Sequence, residues 1–288
     1  MKGSSLLFTP FALLMFAANS LLCRMALGAG AVDAATYATL RVVSGAIMLM
    51  LIAGLRQQAD GGGSARTHRP QWGDWWSALY LFLYLVPFSF AYNGLTTGTG
   101  ALILFGCVQG TMLLAAWRWG ERPSILQWSG LVIAMGGLVY LLLPGSEAPP
   151  PVPALLMAVA GAAWGLYSLR GRSAGDPLLR TAGNFARAVP MVVLVSMIAW
   201  PSHAMEWNGA LLAMLSGAGA SALGYVAWYA ALKQLSSTRA ASLQLVVPII
   251  ASAAGVLFLG ESVGLRFGIA AILVLGGVGL TLHRSSMR

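Results

Sequence analysis

The sequence predicts an all-α integral membrane protein of ten transmembrane helices, arranged as two inverted five-helix repeats with both termini in the cytoplasm. Three observations lead to this fold class: long apolar runs, an uneven distribution of basic residues between the connecting segments, and an internal repeat. Hydrophobic residues make up 58% of the 288 positions and charged residues only 9%. Such a balance leaves too little polar surface to solvate a soluble globule of this size, so the surroundings are predicted to be lipid.

The apolar runs set the number of spans. A helix that crosses a bilayer core of about 30 Å needs about 20 apolar residues, and charged, Pro-rich and Gly-rich breaks separate runs of this length. The predicted spans cover residues 5–24, 34–55, 73–92, 98–118, 124–143, 152–170, 180–200, 208–232, 239–259 and 264–283.

Basic residues predict the orientation. With the N-terminus in the cytoplasm, only Arg24 and Arg266 fall outside, against thirteen inside, an asymmetry typical of short cytoplasmic loops. The thirteen are Lys2, Arg56, Arg66, Arg69, Arg118, Arg122, Arg170, Arg172, Arg180, Lys233, Arg239, Arg284 and Arg288. Because they stand singly between apolar runs, the net charge of +9 reflects topology and does not indicate a nucleic-acid partner.

An offset of 140 residues relates Gly120-Glu121 to Gly260-Glu261 and Gly136-Gly137 to Gly276-Gly277. Because two different dipeptide motifs recur at the same distance, we infer that the chain contains an internal duplication. Each half holds five helices, an odd number, so the halves are predicted to be antiparallel. We place the first repeat at residues 1–145, a Pro-rich linker at 146–153 and the second repeat at 154–288. Inverted repeats are common in secondary transporters, where the halves expose a midplane site alternately to each side.

Both halves of the chain contain corresponding motifs. They are Ala91 to Leu95, Ala101 to Leu104, Gly120 to Pro123, Gln127 to Gly130 and Gly136-Gly137 in the first half, and Tyr229 to Leu232, Pro248, Gly260-Glu261 and Gly276-Gly277 in the second. On both copies these segments resemble the EamA repeat of the drug/metabolite transporter superfamily. With Asn19 and the run Trp164 to Tyr167, the overall pattern is similar to the YddG group of aromatic and neutral amino-acid exporters. The resemblance implies a ten-helix carrier with a central cavity.

Polar and aromatic side chains inside spans are the candidate substrate-binding residues, because a midplane cavity has to satisfy polar groups away from water. Amides orient polar atoms and aromatic faces suit large apolar groups, although interhelical hydrogen bonds and ordinary packing explain the same residues. The candidates are Asn19, Tyr80, Tyr84, Gln109, Trp164, Tyr167, Tyr225, Trp228 and Gln244. The family resemblance places Gln109 and Gln244, in helices 4 and 9, beside the cavity.

Arg41 and Arg187 are the basic residues well inside spans. Either side chain could snorkel to the headgroups or could recognise a substrate carboxylate. No Asp or Glu lies near the middle of a span, which favours facilitated exchange or downhill export over coupling through a titrating carboxylate.

The sequence contains no Walker, Gly-x-Ser-x-Gly or His-Glu-x-x-His motif, and Cys23 and Cys107 lack metal-type spacing. We therefore expect no enzyme activity, no cofactor and no metal. The predicted function is export of aromatic and other neutral amino acids; the alternatives are a carrier of the same superfamily for drugs, nucleotide sugars or other metabolites, or a non-transport membrane protein. The expected partners are a small-molecule substrate and lipid, with no nucleic acid, for a monomer in the bacterial inner membrane.

Overall fold

A computed structural model describes residues 5–59, 72–119, 124–145, 148–171, 176–200, 203–235, 240 and 243–282. In this part of the chain the regular structure is helical, apart from one isolated antiparallel bridge between Val32 and Met205. The helices are α1 (Ser5–Gly28), α2 (Ala34–Ala59), α3 (Trp75–Ala91), α4 (Thr97–Arg118), α5 (Ile125–Leu142), α6 (Pro151–Gly171), α7 (Pro177–Ile198), α8 (Trp207–Leu232), α9 (Val246–Leu259) and α10 (Leu265–Leu282).

Seven of these helices, α1, α2 and α4 to α8, are long and apolar enough to cross a membrane. The apolar parts of α3, α9 and α10 are shorter, at 10–17 residues. Exposed tryptophans stand at helix ends, for example Trp75 at 60%, Trp117 at 56% and Trp207 at 73%, as expected for side chains at the membrane interface. The prediction of a multi-pass helical membrane protein is confirmed.

The helices begin and end close to the predicted spans, with one correction at α9. The sequence predicts a span over 239–259, but α9 begins at Val246 and Gln244 lies in the preceding turn. Pro248 has no N–H to donate to the carbonyl of Gln244, and this carbonyl instead accepts from Val247 N at 3.0 Å. The prediction that Gln244 lies inside the ninth helix is therefore wrong, and the chain is interrupted there.

The main helix contacts join the first five helices to the last five. α1 contacts α8 and α9, and α6 contacts α3 and α4. Three further pairs are α2 with α7, α4 with α9 and α5 with α10. Small residues allow close approach: a Cβ on Gly161 of α6 would lie 2.4 Å from the carbonyl oxygen of Leu104 in α4. The buried core is thus formed between the halves.

Two clusters of polar contacts mark the two ends of the bundle. We name the first the Glu261 end, where Glu261 contacts Thr97 and Arg24, and the second the Asp74 end, where Asp74 contacts Arg170. Glu121, which the sequence repeat pairs with Glu261, lies in residues 120–123 and so outside the described residues. α6 begins at Pro151, inside the segment predicted as linker; proline is accepted there because the first N–H groups of a helix have no intrahelical partner.

Candidate functional site

A cluster of aromatic rings fills the middle of the bundle. The ring centroid of Trp164 (α6) lies 4.9 Å from that of Tyr84 (α3) and 4.7 Å from that of Tyr225 (α8). Phe16 of α1 meets Trp164 edge to face at 5.2 Å. All four side chains are at most 5% exposed, so rings from both halves of the chain meet at a centre that is closed to solvent. Aromatic surfaces of this kind bind large apolar groups.

The interruption before α9 supplies a polar partner for this cluster. The indole Nε1 of Trp164 donates to Oε1 of Gln244 at 2.7 Å, and Nε2 of Gln244 donates to the carbonyl of Ala240 at 3.3 Å. Both side chains are buried. The buried amide thus holds the orientation of the central tryptophan, and the two candidate residues form one unit.

Arg41 is completely buried against the same rings, which excludes the snorkelling interpretation. Its Nη2 donates to the hydroxyl of Tyr225 at 3.0 Å and to that of Tyr84 at 3.3 Å, and its Cζ lies 4.8 Å from the ring centroid of Phe88. Arg187 differs, because it is only half-buried and donates to the main-chain carbonyls of Trp72 and Gly183 while lying over the ring of Trp75. The repeat-related arginines therefore have different roles.

Asn19 shares a hydrogen-bond network with Arg41 and two serines of α8. Its Oδ1 accepts from Ser216 Oγ at 2.7 Å and from Ser221 Oγ at 3.1 Å, and Ser221 Oγ also accepts from Arg41 Nε at 2.9 Å. In an α-helix of 3.6 residues per turn, residues five apart point about 140° away from each other. The segment Leu215–Leu223 is a π-helix, whose i→i+5 pattern brings residues five apart to one face, so both serines reach one amide.

The candidates nearer the Asp74 end form a second layer. The ring of Tyr167 lies tilted against that of Trp164, with the centroids 5.5 Å apart, and its hydroxyl accepts from Asn184 Nδ2 at 3.4 Å. Trp228 meets Phe16 at 5.6 Å and donates to Ser168 Oγ at 3.3 Å. The structure therefore brings together seven of the predicted residues. They are Asn19, Tyr84, Trp164, Tyr167, Tyr225, Trp228 and Gln244.

Tyr80 and Gln109 are the two other candidates. Tyr80 is half-buried on α3 and makes none of the described ring contacts, while Gln109 is buried on α4. Sequence reasoning missed Phe16 and the serines of the π-helix, and it left Arg41 undecided. A basic residue deep within an apolar run was the one available signal for Arg41, whereas nothing in the sequence distinguishes Phe16 from other apolar residues of α1.

The Glu261 end is held by a carboxylate at the start of α4. Glu261 accepts from the main-chain N of Thr97 at 2.9 Å and from its hydroxyl at 3.1 Å, and Arg24 Nε lies 3.3 Å from the same carboxylate. Arg24 Nη1 also donates to the carbonyl of Tyr92 at 3.1 Å. A carboxylate on free N–H groups at a helix N-terminus is electrostatically favoured. The contacts tie α1, α4 and the α9–α10 connection together.

The Asp74 end is held by ion pairs between the last turns of α2 and α6 and the residues that precede α7 and α3. Asp74 caps α3 and lies 2.9 Å from Arg170, and Arg56 lies 2.9 Å from Asp176. Burial raises the pKa of Asp74, but hydrogen bonds from Ser77 and the nearby Arg170 outweigh it, so its pKa is lowered overall and the carboxylate stays charged. Within the described residues no three His, Cys, Asp or Glu side chains are placed to hold a metal ion.

A multi-pass helical protein with a buried aromatic and polar centre, closed by polar contacts at both ends, has the construction of a membrane transporter. The model of the EamA-like transporter family matches residues 152–283. An uncharacterized protein of Pseudomonas aeruginosa is 47% identical over 278 residues, which cover 96% of this chain and 94% of that protein. The chain belongs to the EamA-like transporter family of the drug/metabolite transporter superfamily.

The chain is also similar to a characterised exporter and to a solved structure. The threonine/homoserine exporter RhtA of Salmonella typhimurium is 27% identical over 209 residues, which cover 70% of this chain and 65% of the exporter. A crystal structure is similar over 98% of both chains with a TM-score of 0.66 at 18% sequence identity, which shows a shared fold.

Proposed function

We propose that the protein is a secondary transporter that exports aromatic and other neutral amino acids by alternating access through the centre between its two halves. The observation that carries the proposal is the buried cluster of Tyr84, Trp164 and Tyr225 around Arg41, with Asn19 beside it. Aromatic faces suit the side chain of an amino acid, and polar groups among them suit its ammonium and carboxylate. The remaining candidates, Tyr80 and Gln109 included, are proposed to line the path.

Alternating access needs two similar halves that rock about the centre, and the helix contacts support such an arrangement. In two equivalent halves, α1 to α5 correspond in order to α6 to α10. The contact of α3 with α6 then corresponds to that of α8 with α1, and the contact of α4 with α6 corresponds to that of α9 with α1. All four contacts occur, and the pairs α2–α7, α4–α9 and α5–α10 correspond to themselves. These observations favour ten crossings in two inverted repeats.

The ends at which the inter-helix connections lie also support two inverted repeats. Asp33, between α1 and α2, accepts from the main-chain N of Ala204 at 3.1 Å, so the α1–α2 and α7–α8 connections share an end. Arg24 and Glu261 bring the α9–α10 connection to that end as well. Successive helices then alternate in direction. With the charge asymmetry of the sequence, we place the Glu261 end outside and the Asp74 end in the cytoplasm of a bacterial inner membrane.

The substrate class is supported by the relative that exports threonine and homoserine, both neutral amino acids. The size and number of the central rings extend the proposed range to aromatic side chains, as in the YddG group that the sequence resembles. Carriers of drugs, nucleotide sugars or other metabolites in the same superfamily are the competing substrates, and the assay below separates them.

The test is counterflow in liposomes that contain the purified protein. We expect labelled phenylalanine or threonine to accumulate in vesicles preloaded with the same amino acid. Trp164→Phe keeps a ring but removes the donor to Gln244, and we expect it to lower the initial rate about tenfold, because a hydrogen bond between buried groups is lost. Trp76→Ala, at a residue 63% exposed, is the control and should leave the rate unchanged. Uptake of nucleotide sugars or lipophilic cations in place of amino acids would refute the assignment.

A further inference from the structure

The centre of the molecule contains a buried cation, Arg41. Arg41 is 0% exposed, and among the residues that the structure describes no carboxylate lies within salt-bridge distance of it. A charge buried away from water without a counter-charge costs several kcal/mol even after relaxation. Such a cation is expected to acquire an anion when the protein binds its ligand.

The hydrogen bonds of Arg41 show which of its donors remain. A guanidinium has five N–H groups. Nε donates to Ser221 and Nη2 donates to Tyr84 and Tyr225, whereas Nη1 has no hydrogen-bond partner in the part of the chain that the structure describes. The two N–H groups of Nη1 are therefore available inside the aromatic cluster.

Asn19 adds an unused donor next to the same network. Oδ1 of Asn19 faces the two serines and accepts from both, and Ser221 Oγ, which itself accepts from Arg41 Nε, donates its own proton to this bond. Nδ2 of the same amide has no hydrogen-bond partner among the residues that the structure describes. The hydroxyl of Tyr84 accepts from both Arg41 and Tyr225, which leaves its proton for another acceptor. The unused groups of this network are donors.

We propose that this network, with Nη1 of Arg41 at its centre, is the anchoring site for the carboxylate of the transported substrate. The inference rests on the proposed function and narrows it: substrates carry a carboxylate, and the aromatic rings receive the side chain. A carboxylate has two oxygens with about four acceptor sites, which matches a site of guanidinium, amide and hydroxyl donors. Decarboxylated or amidated analogues would leave the cation without its partner.

The first experiment compares four ligands that share one phenyl ring, using the thermal stability of the purified wild-type protein as the readout of binding. Phenylalanine and hydrocinnamate carry the carboxylate, with and without the amine; phenylalaninamide and phenethylamine lack it. We expect the two carboxylates to stabilise the protein and the two other compounds to bind about 10- to 100-fold more weakly, as a lost hydrogen bond to a charged group predicts. Equal binding of phenylalanine and phenylalaninamide would overturn the inference.

The second experiment assigns the discrimination to Arg41. Arg41→Gln should bind phenylalanine and phenylalaninamide equally, and Arg41→Lys should regain only part of the preference, because lysine keeps the charge but not the planar fork. Arg187→Gln is the matched control and should retain the full preference, since Arg187 contacts main-chain carbonyls. A preference for carboxylates that survives in Arg41→Gln would overturn the inference.

The outcomes also separate this inference from the proposed function. If hydrocinnamate stabilises the wild type through Arg41 but no amino acid exchanges in liposomes, the carboxylate site stands and amino-acid export fails. If amino acids exchange but carboxylate and carboxamide bind alike, export stands and the carboxylate site fails. Because the ligand series uses the wild-type protein, an unfolded variant does not remove the test.

Discussion

The contact between α2 and the π-helix of α8 can be tested at Gly217. A Cβ at this position would lie 2.1 Å from the carbonyl oxygen of Arg41 and 2.1 Å from Ser44 Oγ. The serine hydroxyl can rotate away, but the carbonyl belongs to the backbone of α2. Gly217→Ala therefore forces the two helices apart by about 1 Å before the contact reaches 3.0 Å.

A separation of this size acts directly on the proposed site. The bond between Arg41 Nε and Ser221 Oγ is 2.9 Å long, and a further stretch of about 1 Å takes it out of hydrogen-bond range. We expect Gly217→Ala to lower the free energy of unfolding by about 1–3 kcal/mol, the usual cost of overpacking, and to slow counterflow roughly tenfold. Thermal unfolding of the purified protein and initial-rate counterflow measure the two effects.

Gly219 provides the matched control within the same π-helix. A Cβ there would meet no atom of the described residues within 4 Å, so Gly219→Ala should leave transport unchanged and stabilise the helix slightly, by at most about 1 kcal/mol. If both alanine variants behave like the wild type in stability and transport, the close contact at Gly217 is not what positions Arg41, and the reasoning fails.

Three further predictions concern the ends and the transport cycle. In a Cys107→Ser background, Glu261→Ala should speed maleimide labelling of the buried Cys23, because the tie between α1 and α4 is lost; unchanged labelling would contradict a closing role for the Glu261 end. Burial raises the pKa of Asp33, but hydrogen bonds from Thr36, Ala204 and Ala35 outweigh it, so this pKa is lowered overall. The charged carboxylate therefore stabilises the protein at neutral pH, and this contribution is lost as the pH falls below about 4. Asp33→Asn should flatten the acidic part of a plot of unfolding temperature against pH, and an unchanged slope would count against this role. Exchange should exceed net efflux by about tenfold or more, because the empty carrier has to move Arg41 without a counter-charge, and equal rates would argue against this.

The sequence predicts the helices well because the bilayer sets their length. The sixth span, predicted at 152–170, is observed as Pro151–Gly171, and the eighth, predicted at 208–232, as Trp207–Leu232. The ninth span fails at its start, because hydropathy does not register the hydrogen bond that Pro248 removes. Apolar length is a property of a segment, whereas an interruption depends on one residue.

The candidate site was predicted less completely than the helices, for a geometric reason. Hydropathy identifies Asn19 as a polar group inside a span, but its partners Ser216 and Ser221 point to opposite sides of a regular α-helix. Only the π-helix turns them to one face, and the close contact of Gly217 with α2 is visible only in three dimensions. Arg41 could be located on its helix from the sequence, but its burial depends on which neighbours cover it.

The ends and the centre of the molecule differ in how their charges are satisfied. Asp74 and Glu261 each have a basic partner and main-chain donors in the closed protein, so either end can stay closed without a ligand. The centre is different, because Arg41 keeps unused donors and no carboxylate of the described residues lies within salt-bridge distance of it. If the proposed carboxylate site is correct, a ligand that supplies this carboxylate would stabilise the closed form and do little for the ends themselves. Substrate binding would then favour occlusion through the centre, and opening would require breaking only one of the two polar ends at a time.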